Sequence, residues 1–593
     1  MGLLQLALGG WPVEMAQGFE RQWVIAPPHP ERDALAQDAR IPSLLAQIFL
    51  NRGICSAAAI GRFLAPQFRD VLGPEHLPGA VAAAERLAAA VADGRRIVIY
   101  GDYDVDGITA SAILYHALRL AGGNVDFYVP SRFEEGYGLN GDALSRLAAD
   151  GAQLVITVDC GITAVAEARR ARELGVELII TDHHTPKSAL PDAAAIVHPT
   201  ACGASANPDL CGAGVALKVA WALARRLSGG ERVAPEYREL LLEATALAAL
   251  GLVADVAPLT GENRVLAAFG LRQLCHATNP GLQALLEVSG LTGKANYSDY
   301  DVGFMLAPRL NAVGRMGHAQ LAVELFTRAT PQRAREIAEV LDAHNRQRQT
   351  VEREIVRAAE QLVEERGFNR DGCHGVVLAQ PDWHIGVLGI VASRLVERFR
   401  RPTVMIALDN GVGQGSCRSI AHFPLNDVLA CCAPHLLSFG GHAMAAGVRL
   451  RAEQVEPFTR AFLGEAAQRL TPADLRPKLH IDDEIGLDEL QLGVVEPLQR
   501  MAPFGAGNAR PLLATRPVEL ADAPRVVGRN ASHLQFTVRD GRTHRKAIAF
   551  NRARHADELA DRRRLRVAFE PLLNDWNGRQ HVEMRVVDWR FES

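Results

Sequence analysis

Residues 96–107 read RIVIYGDYDVDG, and this stretch decides the fold of the chain around it. The run Arg96–Tyr100 is short, apolar and rich in β-branched side chains, which predicts a buried strand. A glycine and three alternating aspartates follow, and a helical pattern of apolar positions then runs from Ile108 to Ala121. The stretch therefore predicts a strand, an acidic turn and a helix, in that order.

The same alternation continues beyond this stretch. A further helix is predicted at Ala164–Leu174. Short apolar runs predict four more strands, at Val125–Val129, Leu154–Val158, Leu178–Thr181 and Ala195–His198. Continuous apolar strands that alternate with amphipathic helices indicate an α/β fold with a parallel sheet covered on both faces.

The length of 593 residues predicts several domains, because a single hydrophobic core rarely grows so large. Residues 331–365 are charged and contain no glycine, which predicts a long connecting helix. Strand and helix patterns then indicate a second α/β domain, and the short strands and turns near the C-terminus indicate a small β-barrel. The predicted order is a helical lead-in, a first α/β domain, the connecting helix, the second α/β domain and the barrel, over residues 1–70, 71–328, 329–366, 367–474 and 475–593.

Composition and charge exclude several classes of protein. No stretch approaches the ~20 uncharged apolar residues of a membrane span. The apolar start, MGLLQLALGGWPVEM, lacks a basic region, so we do not expect a signal peptide. The nine cysteines are scattered and form no CxxC pair, which argues against disulfides and structural zinc and favours the cytoplasm. The net charge is −4, yet residues 523–593 carry 15 Lys and Arg against 9 Asp and Glu, so a basic C-terminal domain is attached to an acidic body.

Acidic motifs follow three of the predicted strands. GDYDVDG follows the first strand, Asp159 follows the third, and Asp182, His183 and His184 follow the fourth. Because the carboxyl ends of parallel strands meet at one edge of a sheet, these side chains are expected to converge. Crowded carboxylates raise one another's pKa, and divalent cations relieve that conflict. A carboxylate can bridge two cations roughly 3.5–4 Å apart, and mixed Asp and His ligands favour Mn²⁺ over Mg²⁺, with zinc as an alternative.

Each motif alone has a structural interpretation. The aspartate-rich turn could be a calcium-type loop or a solvated turn, Asp159 could cap a helix, and the Asp-His-His triplet could be a surface turn. The coincidence of all three at strand ends of one sheet favours the metal centre.

These motifs resemble those of the DHH phosphoesterase family. GDYDVDG (101–107), VDCG (158–161) and DHH (182–184) are similar to its first three motifs. The resemblance covers roughly residues 70 to 593. It continues through LCGAGVALK (210–218), ALGLVADVAPLTGENR (249–264), APRLNAVGR (307–315), WHIGVLGIVASR (383–394), GSCRSI (415–420), GGHAMAAG (440–447) and PFGAGN (503–508).

The resemblance implies roles for individual residues. His184 is expected to contact the substrate phosphate or to orient the metal ligands, and Asp102 to hold the loop or to join the ligands directly. Asp159 is the expected bridging ligand. The implied metal ligands are Asp104, Asp106, Asp159, His183 and Asp255. The implied substrate-binding residues are Arg309, Asn311, Arg315, Arg418, Ser419, Gly441 and His442.

The resemblance also implies the activity. Members with this full set of motifs are exonucleases specific for single-stranded DNA, acting 5′→3′ with two divalent cations in DNA repair and recombination. It implies a DHHA1-like second α/β domain and an oligonucleotide-binding (OB-like) C-terminal barrel, with a helicase and a single-strand-binding protein as partners of a monomeric enzyme. Candidate nucleic-acid contacts in the barrel are Arg529, His533, Phe536, Lys546 and Trp576, although the aromatic side chains could equally be core residues.

Two alternatives remain open from the sequence. Family relatives that hydrolyse short oligonucleotides or cyclic dinucleotides share the first domains, but they are shorter and lack the barrel. A non-catalytic scaffold that binds single-stranded DNA would keep the fold and lose metal ligands, whereas every expected ligand is present here.

Overall fold

The fold is described from a computed structural model. It describes residues 21–131, 135–136, 138–316, 319–561, 564–576 and 579–592, with the side chains of Met316, Trp576 and Arg579 left out. Among the helices of these residues, none combines the length and the apolar character that crossing a membrane requires.

Residues 21–64 of the N-terminal segment form one strand and three helices. They are β1 (Gln22–Ile25), α1 (Arg32–Ala39), α2 (Ser43–Asn51) and α3 (Ala57–Leu64). The Ser56 hydroxyl caps α3 by accepting a hydrogen bond from the amide of Ala59. Phe49 and Ile60 are buried in the same core cluster as Val495 and Phe536 of the C-terminal barrel. The helical lead-in therefore packs on the far end of the chain.

The first α/β domain is built on a five-stranded parallel sheet with the strand order β3-β2-β4-β5-β6. The predicted parallel sheet is confirmed. The helix after the aspartate-rich turn begins at Val105, earlier than the apolar pattern indicated, because the Asp104 carboxylate caps it. The elements are α4 (Ala80–Ala92), β2 (Arg96–Gly101), α5 (Val105–Leu120), β3 (Asn124–Tyr128), α6 (Gly141–Ala149), β4 (Leu154–Val158), α7 (Val165–Glu173), β5 (Glu177–Thr181) and β6 (Ala195–Val197).

A helical layer completes this domain on the side of α5. Helix α5 is buried along most of its length and packs against two of the layer's helices, α8 and α9. A π-helical segment, Asp301–Leu306, leads directly into α12. The helices are α8 (Gly212–Leu227), α9 (Pro235–Ala254), α10 (Gly261–Gln273), α11 (Pro280–Val288), α12 (Ala307–Met316) and α13 (Ala319–Thr327).

The predicted connecting helix is one continuous element, α14 (Pro331–Glu365), of 35 residues. The Thr330 hydroxyl caps its first turn by accepting from the Arg333 amide. Its N-terminal half packs against α11 and α12, and its C-terminal half packs against the second α/β domain. The helix therefore joins the two α/β domains through its own packed faces.

The second α/β domain has a mixed five-stranded sheet with the order β10-β11-β9-β8-β7, in which only β7 and β8 are parallel. Strand β10 is an edge strand, and all four of its residues are exposed. The elements are β7 (Val376–Gln380), α15 (Ile385–Phe399), β8 (Thr403–Asp409), β9 (Val412–Arg418), α16 (Leu425–Cys431), β10 (Ser438–Gly441), β11 (Ala445–Arg451) and α17 (Val455–Arg469).

The C-terminal domain is the predicted barrel. Strand β17 pairs with β15 and β18, β18 pairs in parallel with β20, and β20 pairs with β19, which returns to β14 and β15. This closed circuit with one parallel pair is the arrangement of an oligonucleotide-binding fold. Strand β12 lies outside it and pairs in parallel with β1. The elements are β12 (Lys478–Ile481), β13 (Asp483–Ile485), α18 (Leu492–Gln499), β14 (Leu513–Thr515), β15 (Val518–Leu520), β16 (Arg525–Val527), β17 (His533–Asp540), β18 (Thr543–Ala549), α19 (Ala556–Asp561), β19 (Arg564–Trp576) and β20 (Arg579–Phe591).

Candidate metal centre

The acidic motifs meet where the strand order of the first sheet changes direction. The chain leaves β2 for β3 on one side and later returns to β4 on the other, so the carboxyl ends of β2 and β4 border a crevice. There, His183 Nε2 lies 3.0 Å from Asp159 Oδ1, 3.7 Å from Asp106 Oδ2 and 3.9 Å from Asp255 Oδ2. Four of the five predicted metal ligands thus converge around one imidazole nitrogen.

The fifth predicted ligand, Asp104, lies in an adjoining group. One ligand atom each from Asp102, Asp104 and Asp159 can be chosen so that the three lie within 4.8 Å of one another. Asp159 belongs to this group and to a second group with His183 and His184. Asp159 is therefore shared between two neighbouring groups of potential ligands, as a bridging carboxylate would be.

The electrostatics of the cluster fit a bound cation. Burial, followed by repulsion from neighbouring carboxylates, raises the pKa of Asp159 and of Asp255 well above the usual range. Burial likewise raises the pKa of Asp106, although attraction to His183 opposes the shift. Burial lowers the pKa of His183, which favours the neutral imidazole that metals bind.

The hydrogen bonding of the cluster points the same way. Asp159 Oδ1 and His183 Nε2 are both buried and lie 3.0 Å apart, and neither has a hydrogen-bond partner among the residues that the structure describes. Buried polar atoms are rarely left without a hydrogen-bond partner in proteins. The buried carboxylates of Asp106 and Asp159 and the more exposed one of Asp255 lie beside a neutral imidazole. They form an oxygen-rich donor set with one nitrogen, which suits Mn²⁺ or a similar divalent cation.

The N-terminus of α8 supports Asp106 from below. The backbone amides of Gly212 and Ala213 donate to its carboxylate, the second over 2.8 Å. Amides at a helix N-terminus favour a negative charge. A Cβ at Gly212 would lie 2.7 Å from Asp159 Oδ1, and a Cβ at Gly251 would lie 2.4 Å from Asp106 Oδ1. The glycines of two predicted motifs are thus needed so that helices α8 and α9 can approach the carboxylates.

The turn after β4 places Asp159 in the crevice. Asp159 has a φ of +61°, a left-handed conformation that costs a non-glycine residue energy. The Thr157 hydroxyl donates over 2.7 Å to the carbonyl of Cys160 within the same turn. This turn re-aims the carboxylate from the strand direction toward His183.

Asp182, the first residue of the DHH motif, organises the other two. Its Oδ1 accepts from the amides of His183 and His184 and lies 2.8 Å from His184 Nδ1, while Oδ2 accepts from the amide of Ile162. Burial lowers the pKa of His184, but the hydrogen bond and the negative charge of Asp182 outweigh it and raise that pKa to about 9. We had not predicted this role, and only the short spacing to His184 could have suggested it.

Three predicted substrate-binding residues lie on α12, beside the metal centre. Asn311 Oδ1 accepts over 3.2 Å from the amide of Val105, at the start of α5. The Arg309 guanidinium forms an ion pair with Asp342 of α14 at 2.9 Å. Arg315 Nη1 donates over 3.0 Å to the carbonyl of Gly386, in the first turn of α15. These side chains tie the first domain, the connecting helix and the second domain together.

The other predicted substrate-binding residues lie in the second domain. Arg418 Nη1 donates to Ser416 Oγ and to the Cys417 carbonyl. Ser419 is fully buried, and its hydroxyl donates to the carbonyls of Phe423 and Ile420. Gly441 and His442, at the end of the edge strand β10, are exposed, and Gly441 has a φ of +144°. The exposed end of β10 is thus the accessible part of this predicted set.

The barrel carries a cationic cavity of about 700 Å³ beside β18 and β20. His544, Arg545, Lys546 and His581 line it, and Lys546 forms an ion pair with Glu583 at 3.3 Å. Among the barrel candidates, Phe536 is a core residue, His533 is half-buried, and Arg529 is exposed. The side chain of Trp576 lies outside the described residues.

Comparison with known proteins agrees with this architecture. The model of the DHH family N-terminal domain matches residues 96–248, that of the DHHA1 domain matches residues 372–468, and that of the RecJ OB domain matches residues 481–588. Fold and site together define a phosphoesterase of the DHH class. Full-length relatives narrow this class to one family. The chain is 37% identical over 573 residues to the single-stranded-DNA-specific exonuclease RecJ of Bacillus subtilis, covering 96% of this chain and 70% of the relative.

Another relative, RecJ of Dickeya dadantii, is 37% identical over 92% of this chain and 96% of its own length. Among solved structures, RecJ of Thermus thermophilus in complex with Mn²⁺ has a TM-score of 0.81 at 31% identity, covering 96% of this chain and 80% of that chain. An exonuclease RecJ bound to manganese has a TM-score of 0.58 at 37% identity, covering 68% of this chain and 97% of that chain. The chain belongs to the RecJ family.

Proposed function

We propose that this protein is a metal-dependent exonuclease that degrades single-stranded DNA in the 5′→3′ direction. The observation that carries the proposal is the convergence of Asp106, Asp159, His183 and Asp255 on one point at the switch in strand order. The RecJ relatives are named as single-stranded-DNA-specific exonucleases and match nearly the whole chain, which supports the substrate.

Divalent ions would be held by Asp104, Asp106, Asp159, His183 and Asp255, and Asp159, which belongs to two of the ligand groups, would be the bridging ligand. The RecJ structures contain Mn²⁺ in one case and Mg²⁺ in another, and the histidine ligand favours Mn²⁺. When bound, a pair of such ions supplies an activated water and neutralises charge on the scissile phosphate.

The protein's own residues position the reacting groups. Asp182 raises the pKa of His184 to about 9, which favours an imidazolium that can donate a hydrogen bond to a substrate phosphate. We assign that contact to Nε2, since Nδ1 is held by Asp182. Asp102 is buried, and a carboxylate oxygen of it lies within 4.8 Å of ligand atoms of Asp104 and Asp159. We assign it to holding the loop that carries Asp104 or to joining the ligands directly.

We assign the DNA path to the exposed end of β10, with Gly441 and His442, and to Arg418 on the neighbouring part of the same sheet. Exposed glycine amides can approach a phosphate closely. Arg315 would border this path at the junction with α15. Arg309, Asn311 and Ser419 support it from behind, because their polar groups bond to other parts of the protein.

We assign to the barrel a second contact with the single-stranded DNA. Its cavity is lined by four basic or imidazole side chains, and the oligonucleotide-binding fold commonly holds nucleic acid on this part of the barrel. From the family resemblance we further propose a monomeric, cytoplasmic enzyme that acts in DNA repair and recombination with a helicase and a single-strand-binding protein.

The test is Asp159→Ala, assayed for Mn²⁺ binding and for release of nucleotides from single-stranded DNA labelled at either end. We expect both to be lost while the far-ultraviolet circular dichroism is unchanged. Asp126→Ala, a half-exposed aspartate of the edge strand β3 in the same sheet, is the matched control and should behave as wild type. Hydrolysis retained by Asp159→Ala would refute the assigned centre, release from the 3′ end first would refute the direction, and activity restricted to dinucleotides would favour a short-oligonucleotide hydrolase.

A further inference from the structure

A buried histidine outside the metal ligands contacts the DHH motif. His198 directly follows β6, the edge strand of the first sheet, and is fully buried. Its Nε2 lies 2.8 Å from the carbonyl oxygen of His184. Its Nδ1 lies 3.0 Å from the backbone nitrogens of Thr200 and Ala201. Neither the family motifs nor the ligand set accounts for this side chain.

The hydrogen bonds fix the tautomer of His198. A backbone amide can only donate, so the two amides at Nδ1 require a lone pair there. The ring proton must therefore be on Nε2, which donates to the carbonyl of His184. The imidazole thus connects two segments, capping the turn after β6 on one side and holding the DHH motif on the other.

The DHH motif is held at several points. The Asp182 amide donates over 3.1 Å to the carbonyl of Val197, at the end of β6. The Asp182 carboxylate binds the His184 ring, and His198 binds the His184 carbonyl. Since His183 lies between these anchored residues, the direction of its ring depends on both.

We propose that His198 is a positioning residue that holds the DHH loop so that His183 faces the metal centre. This inference rests on the proposed metal-dependent function. Residues that orient metal ligands from behind commonly change metal affinity by about 10–100-fold when they are replaced.

Two substitutions separate the two hydrogen-bonding roles of the ring. In His198→Asn, the side-chain oxygen can occupy the place of Nδ1 and keep the amides of Thr200 and Ala201 satisfied, but no donor reaches His184. In His198→Gln, the side-chain amide can occupy the place of Nε2 and donate to the His184 carbonyl, while the turn loses its cap. The measurement is a titration of the full-length protein with Mn²⁺ alone, without DNA, by calorimetry, together with thermal unfolding.

We expect His198→Asn to bind Mn²⁺ at least tenfold more weakly than wild type while unfolding at a similar temperature. His198→Gln should bind within threefold of wild type, even if it unfolds earlier. Wild-type affinity in His198→Asn, or equal weakening in both variants, would overturn the positioning role and leave His198 as a structural residue. If the wild-type protein bound no Mn²⁺, the proposed metal centre itself would fail, and the two failures are therefore distinguishable.

Discussion

At the scale of single residues, the candidate metal centre depends on how closely two helices approach its carboxylates. Gly212 and Gly251 lie on two different helices, and each leaves room for carboxylate oxygens where any other residue would place a Cβ. Asp106 consequently sits against the N-terminus of α8 and beside α9, and it is 1% exposed. Small residues here determine the spacing of the charged ones.

Gly212→Ala is expected to weaken Mn²⁺ binding by at least ~10-fold, because its Cβ would press on Asp159 at 2.7 Å and on Asp106 at 2.9 Å. Calorimetric titration with Mn²⁺ measures this. Gly464→Ala is the control, since it lies in α17 with no atom within 4 Å of the added Cβ, and it should stabilise the helix slightly. Unchanged Mn²⁺ affinity in Gly212→Ala would contradict the assigned geometry.

Glu397, in the last turn of α15, provides a prediction about pH. Burial raises the pKa of Glu397 to about 7, against the opposing charges of Arg394 and Arg400, and its buried Oε2 finds no hydrogen-bond partner in the described part of the chain. A carboxyl whose pKa is higher in the folded protein than in the unfolded chain stabilises the fold at low pH. That contribution is lost as the pH rises through about 7.

The free energy of unfolding of Glu397→Gln, relative to that of wild type, should therefore increase by about 1–3 kcal/mol when the pH is raised from 5 to 8.5. Urea unfolding at the two pH values, followed by circular dichroism, measures the difference. Comparing Glu397→Gln with wild type at both pH values cancels any packing change that is independent of pH. A constant difference between them would show that this carboxyl does not titrate with a raised pKa.

At the scale of elements, the contact between α12 and α15 sets the relation of the two α/β domains. Gly386, in the first turn of α15, approaches α12 so closely that its Cβ would lie 2.7 Å from the carbonyl oxygen of Arg315. The Arg315 side chain returns to the Gly386 carbonyl. The C-terminal end of α12 and the N-terminal end of α15 are thus in close contact next to the crevice.

Gly386→Ala is expected to separate these helix ends, since the clash is with backbone and a backbone atom cannot rotate away. The KM for single-stranded DNA should rise severalfold while Mn²⁺ affinity stays the same, because the ligands lie on other elements. Steady-state kinetics with labelled single-stranded DNA measures the first effect and calorimetry the second. A drop in Mn²⁺ affinity would indicate that the contact holds the centre itself.

At the scale of the whole molecule, Arg264 of α10 joins the first domain to the C-terminal one. Its guanidinium is 2% exposed and lies 3.8 Å from the Phe63 ring centroid. The Leu259 amide, four residues after the proposed ligand Asp255, donates over 2.7 Å to the Ala506 carbonyl of the PFGAGN motif. The guanidinium donates to five backbone carbonyls, those of Phe63, Arg500, Met501, Ala502 and Pro503.

Arg264→Ala should loosen the C-terminal domain, because its carbonyl partners would be left buried without a donor, a loss of about 2–4 kcal/mol. Limited proteolysis between residues 470 and 478 should become faster, and affinity for single-stranded DNA should fall. Mn²⁺ binding should persist, since all the proposed ligands lie in the first α/β domain. Unchanged proteolysis and DNA affinity would show that the joint is not needed for docking.

Much of the fold was predictable because the local spacing of apolar residues differs between strands and helices. The five strands of the first sheet, the long helix α14 and the barrel are found where the patterns indicated them. The candidate ligands Asp104, Asp106, Asp159 and His183 were found because their motifs follow strands, and parallel strands end at one edge. Asp255, at the end of helix α9, was found only from the family resemblance. Local spacing could not reveal that Ser419 and Phe536 are buried, since burial depends on the elements that cover them.

The sequence by itself, through its motifs, determined which side chains are the candidate metal ligands: Asp104, Asp106, Asp159, His183 and Asp255. Only the tertiary structure decided how they are held. It placed α8 under Asp106, brought His198 to the DHH motif and packed the N-terminal helices onto the barrel. The physical reason is that the pattern of apolar and polar side chains that predicts a strand or helix involves residues only a few positions apart. Contacts such as Gly212 with Asp106 join segments 106 residues apart and exist only once the helices have packed.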